Sequence, residues 1–124
     1  MAQELKVGRP ARGTTTGRPV LVLFDALGRR GALRLLWELR DGRRLTFRAL
    51  EAACESNPGG LNTRLRELRD LQLVEHGVGG YHLTVHGVAL VEMLEPLNAW
   101  ADSWAASTSP IGEQTSMVGA TVEA

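Results

Sequence analysis

Arg64, Arg66 and Arg69 follow Asn57, Asn62 and Thr63 within a single short stretch of the chain. Carboxamides, a hydroxyl and guanidinium forks are the groups that read base edges and hold phosphates. A helical turn of about 100° per residue with Leu61, Leu65 and Leu68 inward points Gly59, Thr63, Arg66 and Asp70 outward, flanked by Asn62 and Glu67. On that face Asn62 and Thr63 can reach base edges, and Arg66 can fork onto a guanine. Arg64, Arg69 and, on the preceding helix, Arg48 suit phosphates. Gly59 and Gly60 each cost a helix about 1 kcal/mol relative to Ala, tolerable where a backbone must come close to another molecule. The competing reading is a solvated face with Arg66 paired to Asp70 or Glu67 within one turn.

Other chemistries have less behind them. No Ser/His/Asp set, paired carboxylates or phosphate loop stands out, so no catalytic residue and no enzyme activity is expected. His76, His82 and His86 are not spaced as a recognised ligand motif; a solvated or phosphate-touching role is expected, with no metal and no cofactor. The single cysteine, Cys54, excludes an intramolecular disulfide and falls on the apolar side of its helix, as a buried structural thiol would.

The elements that must position these residues are legible in the pattern. Pro19 opens a helix through Leu27 that is apolar on nearly every side, which in a small protein calls for cover by a partner subunit. Ala32, Leu35, Leu36 and Leu39 mark a second helix to about Arg40, its stripe widened by Leu33 and Trp37 and ended by Asp41-Gly42. Leu45 reads as a one- or two-residue strand, and Thr46 as the cap of a helix from Phe47 to Cys54. Asn57 caps the next helix, 58–69, with Pro58 at its first position. Strands at 73–76 and 81–84 flank a Gly77-Val78-Gly79-Gly80 tip. A long helix follows at 85–105, with Pro96 expected to kink it and Leu97, Trp100 and Trp104 forming one stripe. The fold class is therefore α+β, mainly helical: a winged helix-turn-helix domain at 19–106 with added N- and C-terminal helices, between a basic arm (1–18) and a tail (107–124), both expected to be disordered.

Charge is strongly divided. Net charge is zero, yet all 14 bases lie in residues 1–69 beside seven acids, and residues 70–124 hold the other seven acids and no base. Thirteen of the 14 bases are arginine, the better fork for phosphate and guanine; by itself the charge fits a nucleic-acid partner and an unevenly dealt ordinary surface equally. The arm also carries two Gly-Arg-Pro tripeptides (8–10 and 17–19) similar to the centre of an AT-hook, and could stand in for a basic wing. No apolar run is long enough to span a bilayer, and the amino terminus lacks a signal-peptide core, so cytoplasmic residence is expected.

Arg18-Pro19-Val20, Leu27-Gly28-Arg29-Arg30, Leu65-Arg66-Glu67-Leu68 running to Leu73-Val74-Glu75, Leu83-Thr84-Val85-His86-Gly87 and Leu97-Asn98-Ala99-Trp100 together resemble the HxlR-type winged helix regulators, relatives of the MarR group. The resemblance implies a homodimeric, DNA-binding transcriptional regulator, dimerised through its first and last helices and reading DNA with residues 57–69. Leu21, Phe24, Leu97, Trp100 and Trp104 then become the candidate dimer interface. The chain departs from that family in three places. Arg18 stands where a redox-sensing cysteine is often found, Gly31 stands where Trp is common, and the wing is short and without a base. Two other functions stay open: a winged helix that docks proteins through its acidic half, and a receptor holding an unknown small-molecule effector at the dimer interface.

Overall fold

A computed structural model describes residues 18–108. Five helices and one hairpin follow in the order α1 (Pro19–Leu27), α2 (Ala32–Glu38), α3 (Phe47–Cys54), α4 (Pro58–Asp70), β1 (Val74–Gly77), β2 (Gly80–Leu83) and α5 (Val85–Thr108). The described residues divide into two compact units, parting between Val91 and Glu92. In the first, the core is built almost wholly of leucine: Leu35, Leu36 and Leu39 after and within α2, Leu50 of α3, and Leu61, Leu65 and Leu68 of α4 are each at most 2% exposed. Val22 and Ala26 of α1, Leu73, Val74 and Leu83 of the hairpin region, and Leu90 and Val91 of α5 are buried too.

The helix starts follow local chemistry. Thr46 Oγ1 accepts from the Ala49 N–H at 3.1 Å and Asn57 Oδ1 from the Gly60 N–H at 2.7 Å, so each meets one of the amides that a helix leaves open. Asn57 and Pro58 start α4 where expected. By contrast α2 ends at Glu38, short of Arg40, because its last turn tightens: Leu39 and Arg40 donate to the carbonyls of Leu36 and Trp37, both at 3.2 Å. Asp41 and Gly42 then adopt positive φ (62° and 73°) and turn the chain. Leu33 is 46% exposed and lies outside the core stripe assigned to it, while Trp37 is half-buried under the Arg40 guanidinium, 4.6 Å from its ring centre.

The hairpin is tighter than the expected glycine tip. Val74 pairs with Leu83 and Gly77 with Gly80, leaving only Val78 and Gly79 in the turn. Leu45 adds a third, single-residue strand: its N–H donates to the Tyr81 carbonyl at 3.0 Å and its carbonyl accepts from the Tyr81 N–H at 2.7 Å. Gly80 has φ +123°, and any Cβ there would run into the Leu45 carbonyl. At its base the hairpin is sewn shut. The Thr84 N–H donates to Leu73 O at 3.1 Å, Thr84 Oγ1 donates to Gln72 O at 2.6 Å, and the Gly87 N–H donates to Thr84 Oγ1 at 3.1 Å. Gly87 packs so closely against the Leu73 carbonyl that a Cβ has no room.

The outer helices differ from expectation in detail. On α1 the apolar character is split between two faces: Val22 and Ala26 are buried, whereas Val20 and Phe24 are 48% and 61% exposed. The helix α5 continues through Pro96 and runs three residues beyond Ala105, to Thr108. Ser107 and Thr108 donate their hydroxyls back to the Trp104 carbonyl. The arm, apart from Arg18, and the tail beyond 108 fall outside the described residues, and with them both expected disordered segments and the first Gly-Arg-Pro.

Candidate nucleic-acid interface

With Leu61, Leu65 and Leu68 buried, α4 turns Gly59, Asn62, Arg66, Arg69 and Asp70 to solvent. Among the described residues no carboxylate lies within ion-pair distance of Arg66, Arg69 or Arg48, all of them exposed. The one-turn pairing of Arg66 with Asp70 or Glu67 does not form. Arg66 and Arg69 line a cleft of about 800 Å³ together with Asp70, Gln72, Val74, Glu75, Thr84, Val85 and His86, between α4 and the hairpin base. Thr63 is half-buried and donates its hydroxyl to Gly59 O at 3.0 Å, and Asn57 is committed to capping. Gly60 has an internal reason to be glycine, since a Cβ would stand 3.2 Å from Asn57 Oδ1; Gly59 has no such crowding and keeps its backbone accessible.

Glu67, placed by periodicity on the flank of the outward face, is instead drawn inward, its side chain only 12% exposed. It accepts from Arg29 Nη1 at 2.6 Å, while Arg29 Nη2 donates to Asp25 at 2.8 Å. Arg64 Nε lies 3.4 Å from the other Glu67 oxygen, so Arg64 is partly neutralised from within the chain. Arg29 is 10% exposed and Asp25 2%, which makes this a buried bridge from the end of α1 to the middle of α4. Burial works to lower the Arg29 pKa, but the hydrogen bonds it donates to Asp25 and Glu67, together with their negative charge, outweigh it and raise the guanidinium above its ordinary value. Asp25 and Arg29 are four apart, a visible signal; nothing in the sequence ties either to Glu67.

Two of the three histidines are engaged individually. His76 stacks on Tyr81 with ring centres 4.2 Å apart, and His82 Nε2 lies 3.1 Å from Glu75 Oε2. Among the described residues no group of three or more His, Cys, Asp or Glu could hold a metal ion. Cys54 is half-buried rather than fully buried, and burial, with Glu38 adding to it against an opposing Arg34, pushes its thiol pKa up. Cys54 is therefore expected to alkylate several-fold more slowly than free cysteine at pH 7 and to reach the free rate in urea; equal rates in both, followed by iodoacetamide mass shift, would contradict that environment.

A helix, a turn and a capped second helix with exposed arginines, followed by a two-stranded antiparallel wing, define a winged helix-turn-helix. The quinone-bound YodB of B. subtilis has the same fold, with a TM-score of 0.62 and 30% sequence identity over 68% of this chain and 96% of its own. An uncharacterized HTH-type transcriptional regulator of Methanocaldococcus jannaschii is 27% identical over 93 residues, 71% of this chain and 87% of that protein. No family model matches the chain. At this identity and coverage the chain belongs with YodB in the family of helix-turn-helix transcriptional regulators.

Proposed function

We propose that the protein is an HxlR-type regulator that binds a pseudo-palindromic operator as a homodimer, laying α4 in the major groove of each half-site. The observation that carries this is the pair of exposed arginines, Arg66 and Arg69, left without internal partners on the outward face of a capped helix. Arg66, with Asn62, reads base edges; Gly59 and Gly60 open the approach of the helix start. Arg69 and Arg48 hold phosphates, and Arg64 contributes less because Glu67 shares its charge. Thr63 and Asn57 shape the helix start that meets the groove. Exposed Phe24 on α1 and exposed Leu97, Trp100 and Trp104 on α5 supply the apolar surface for dimerisation, with half-buried Leu21 beside Phe24. A dimer sets two reading helices about one turn of DNA (34–36 Å) apart, hence the palindromic operator.

The test is a salt titration on the DNA upstream of its own gene against unrelated duplex. Selective binding with a steep salt slope is expected; no binding at low salt sinks the reading and favours protein docking. Within it, Arg66→Ala is expected to cost about 1–3 kcal/mol of discrimination at one base pair per half-site, read by a base-substitution series. Unchanged affinity and preference would show that another face reads the DNA. The quinone carried by YodB supports a second, compatible element, release of DNA by a small effector. With Arg18 in place of a cysteine, such an effector acts here without a thiol at that position.

A further inference from the structure

We propose that Arg44, which lies outside the hairpin, supplies the positive charge with which the wing meets the DNA backbone, an inference that rests on the DNA-binding reading above. The hairpin itself carries no Lys or Arg from Val74 to Leu83. Because Leu45 bridges Tyr81, the residue before it runs beside the hairpin tip. Arg44 Nη1 donates to the Val78 carbonyl at 2.8 Å and lies 3.1 Å from His82 Nδ1. For Nδ1 to accept that bond, the imidazole must keep its proton on Nε2, which lies 3.1 Å from Glu75 Oε2.

Those two contacts use one nitrogen of the guanidinium. Among the described residues Nη2 and Nε have no partner, and no carboxylate lies within ion-pair distance of this exposed side chain. The open edge is the geometry that holds a phosphate bidentately, and it is already fixed in place, so less side-chain freedom is lost on binding. The glycines of the tip make the seat. A Cβ at Gly79, where φ is +87°, would stand 3.3 Å from Arg44 Cδ, and one at Gly77 would stand 3.0 Å from His82 Cε1 and 3.7 Å from Arg44 Nη1. The neighbouring Arg43 differs, since it lies 3.7 Å from a Glu38 oxygen.

The experiment is a KCl titration of full-length protein on a mixed-sequence duplex. Arg44→Gln is expected to lower the slope of log K against log salt by about 0.9 per protomer, with Arg44→Lys retaining it. A wild-type slope in Arg44→Gln overturns the assignment. Loss of slope in Arg44→Lys as well does so too, because it would trace the effect to the wing's shape and not to charge. A second measurement avoids variants: DNA is expected to shield Arg44 of the wild-type protein from phenylglyoxal, read by peptide mass, and equal modification with and without DNA overturns the proposal. Wild-type protein that binds no duplex at any salt refutes the DNA-binding reading itself, whereas binding without Arg44 protection refutes the wing contact alone.

Discussion

Arg29→Met is expected to lower the free energy of unfolding by about 3–5 kcal/mol, the usual cost of removing one partner from a buried ion pair. Methionine fills much of the same space, so the loss is electrostatic: Asp25 and Glu67 keep their charge and burial but lose the guanidinium that holds both. Urea unfolding followed by tryptophan fluorescence measures it. A change below about 1 kcal/mol would mean that water reaches the bridge and screens it. Adding Asp25→Asn and Glu67→Gln is expected to recover part of the loss, since the buried charges that Arg29 held go with them, and a non-additive cycle identifies the coupling. DNA affinity is expected to fall with stability although the Arg29 side chain is largely buried, because the bridge ties α4 to α1.

The second large effect belongs to the far helix. Trp100 and Trp104 stack with ring centres 5.7 Å apart, yet are 58% and 54% exposed, on one stripe with Met93 (67%) and Leu97 (54%). If this stripe is the dimer interface, each indole is an anchor of the kind worth about 2 kcal/mol or more. Trp100→Ala with Trp104→Ala is then expected to weaken dimerisation by on the order of 10³ in Kd, about 4 kcal/mol. Sedimentation equilibrium reads the result. A double variant that stays dimeric at the wild-type Kd moves the interface off this stripe.

What could be read from the sequence was what is decided locally. Thr46, Asn57 and Pro58 announce the starts of α3 and α4 because capping is settled within four residues. The hairpin was legible from its alternation, but not its turn: a glycine run accepts several registers, and the close approach of Gly80 to the Leu45 carbonyl, 35 residues earlier, selects one. The outward face of α4 followed from its leucine period, with one exception. Glu67 belongs to that flank by angle and to the interior by charge, because Arg29 reaches it from 38 residues away. Arg44 was invisible as a wing residue for the same reason, its contacts lying 34 and 38 residues along the chain.

The knot of bonds at the base of the hairpin has a consequence for how this protein can change over time. Gln72, Leu73, Thr84 and Gly87 tie the strand entering the wing to the helix leaving it, so the tip is a closed loop whose length is not transmitted to α5. Lengthening such a loop adds only a slowly growing closure entropy. Residues could therefore be inserted between Val78 and Gly79, or exchanged for those of a longer relative, without displacing the helix that follows. The wing is in this sense a replaceable part: its length can drift between descendants while the helix that follows it stays as it is.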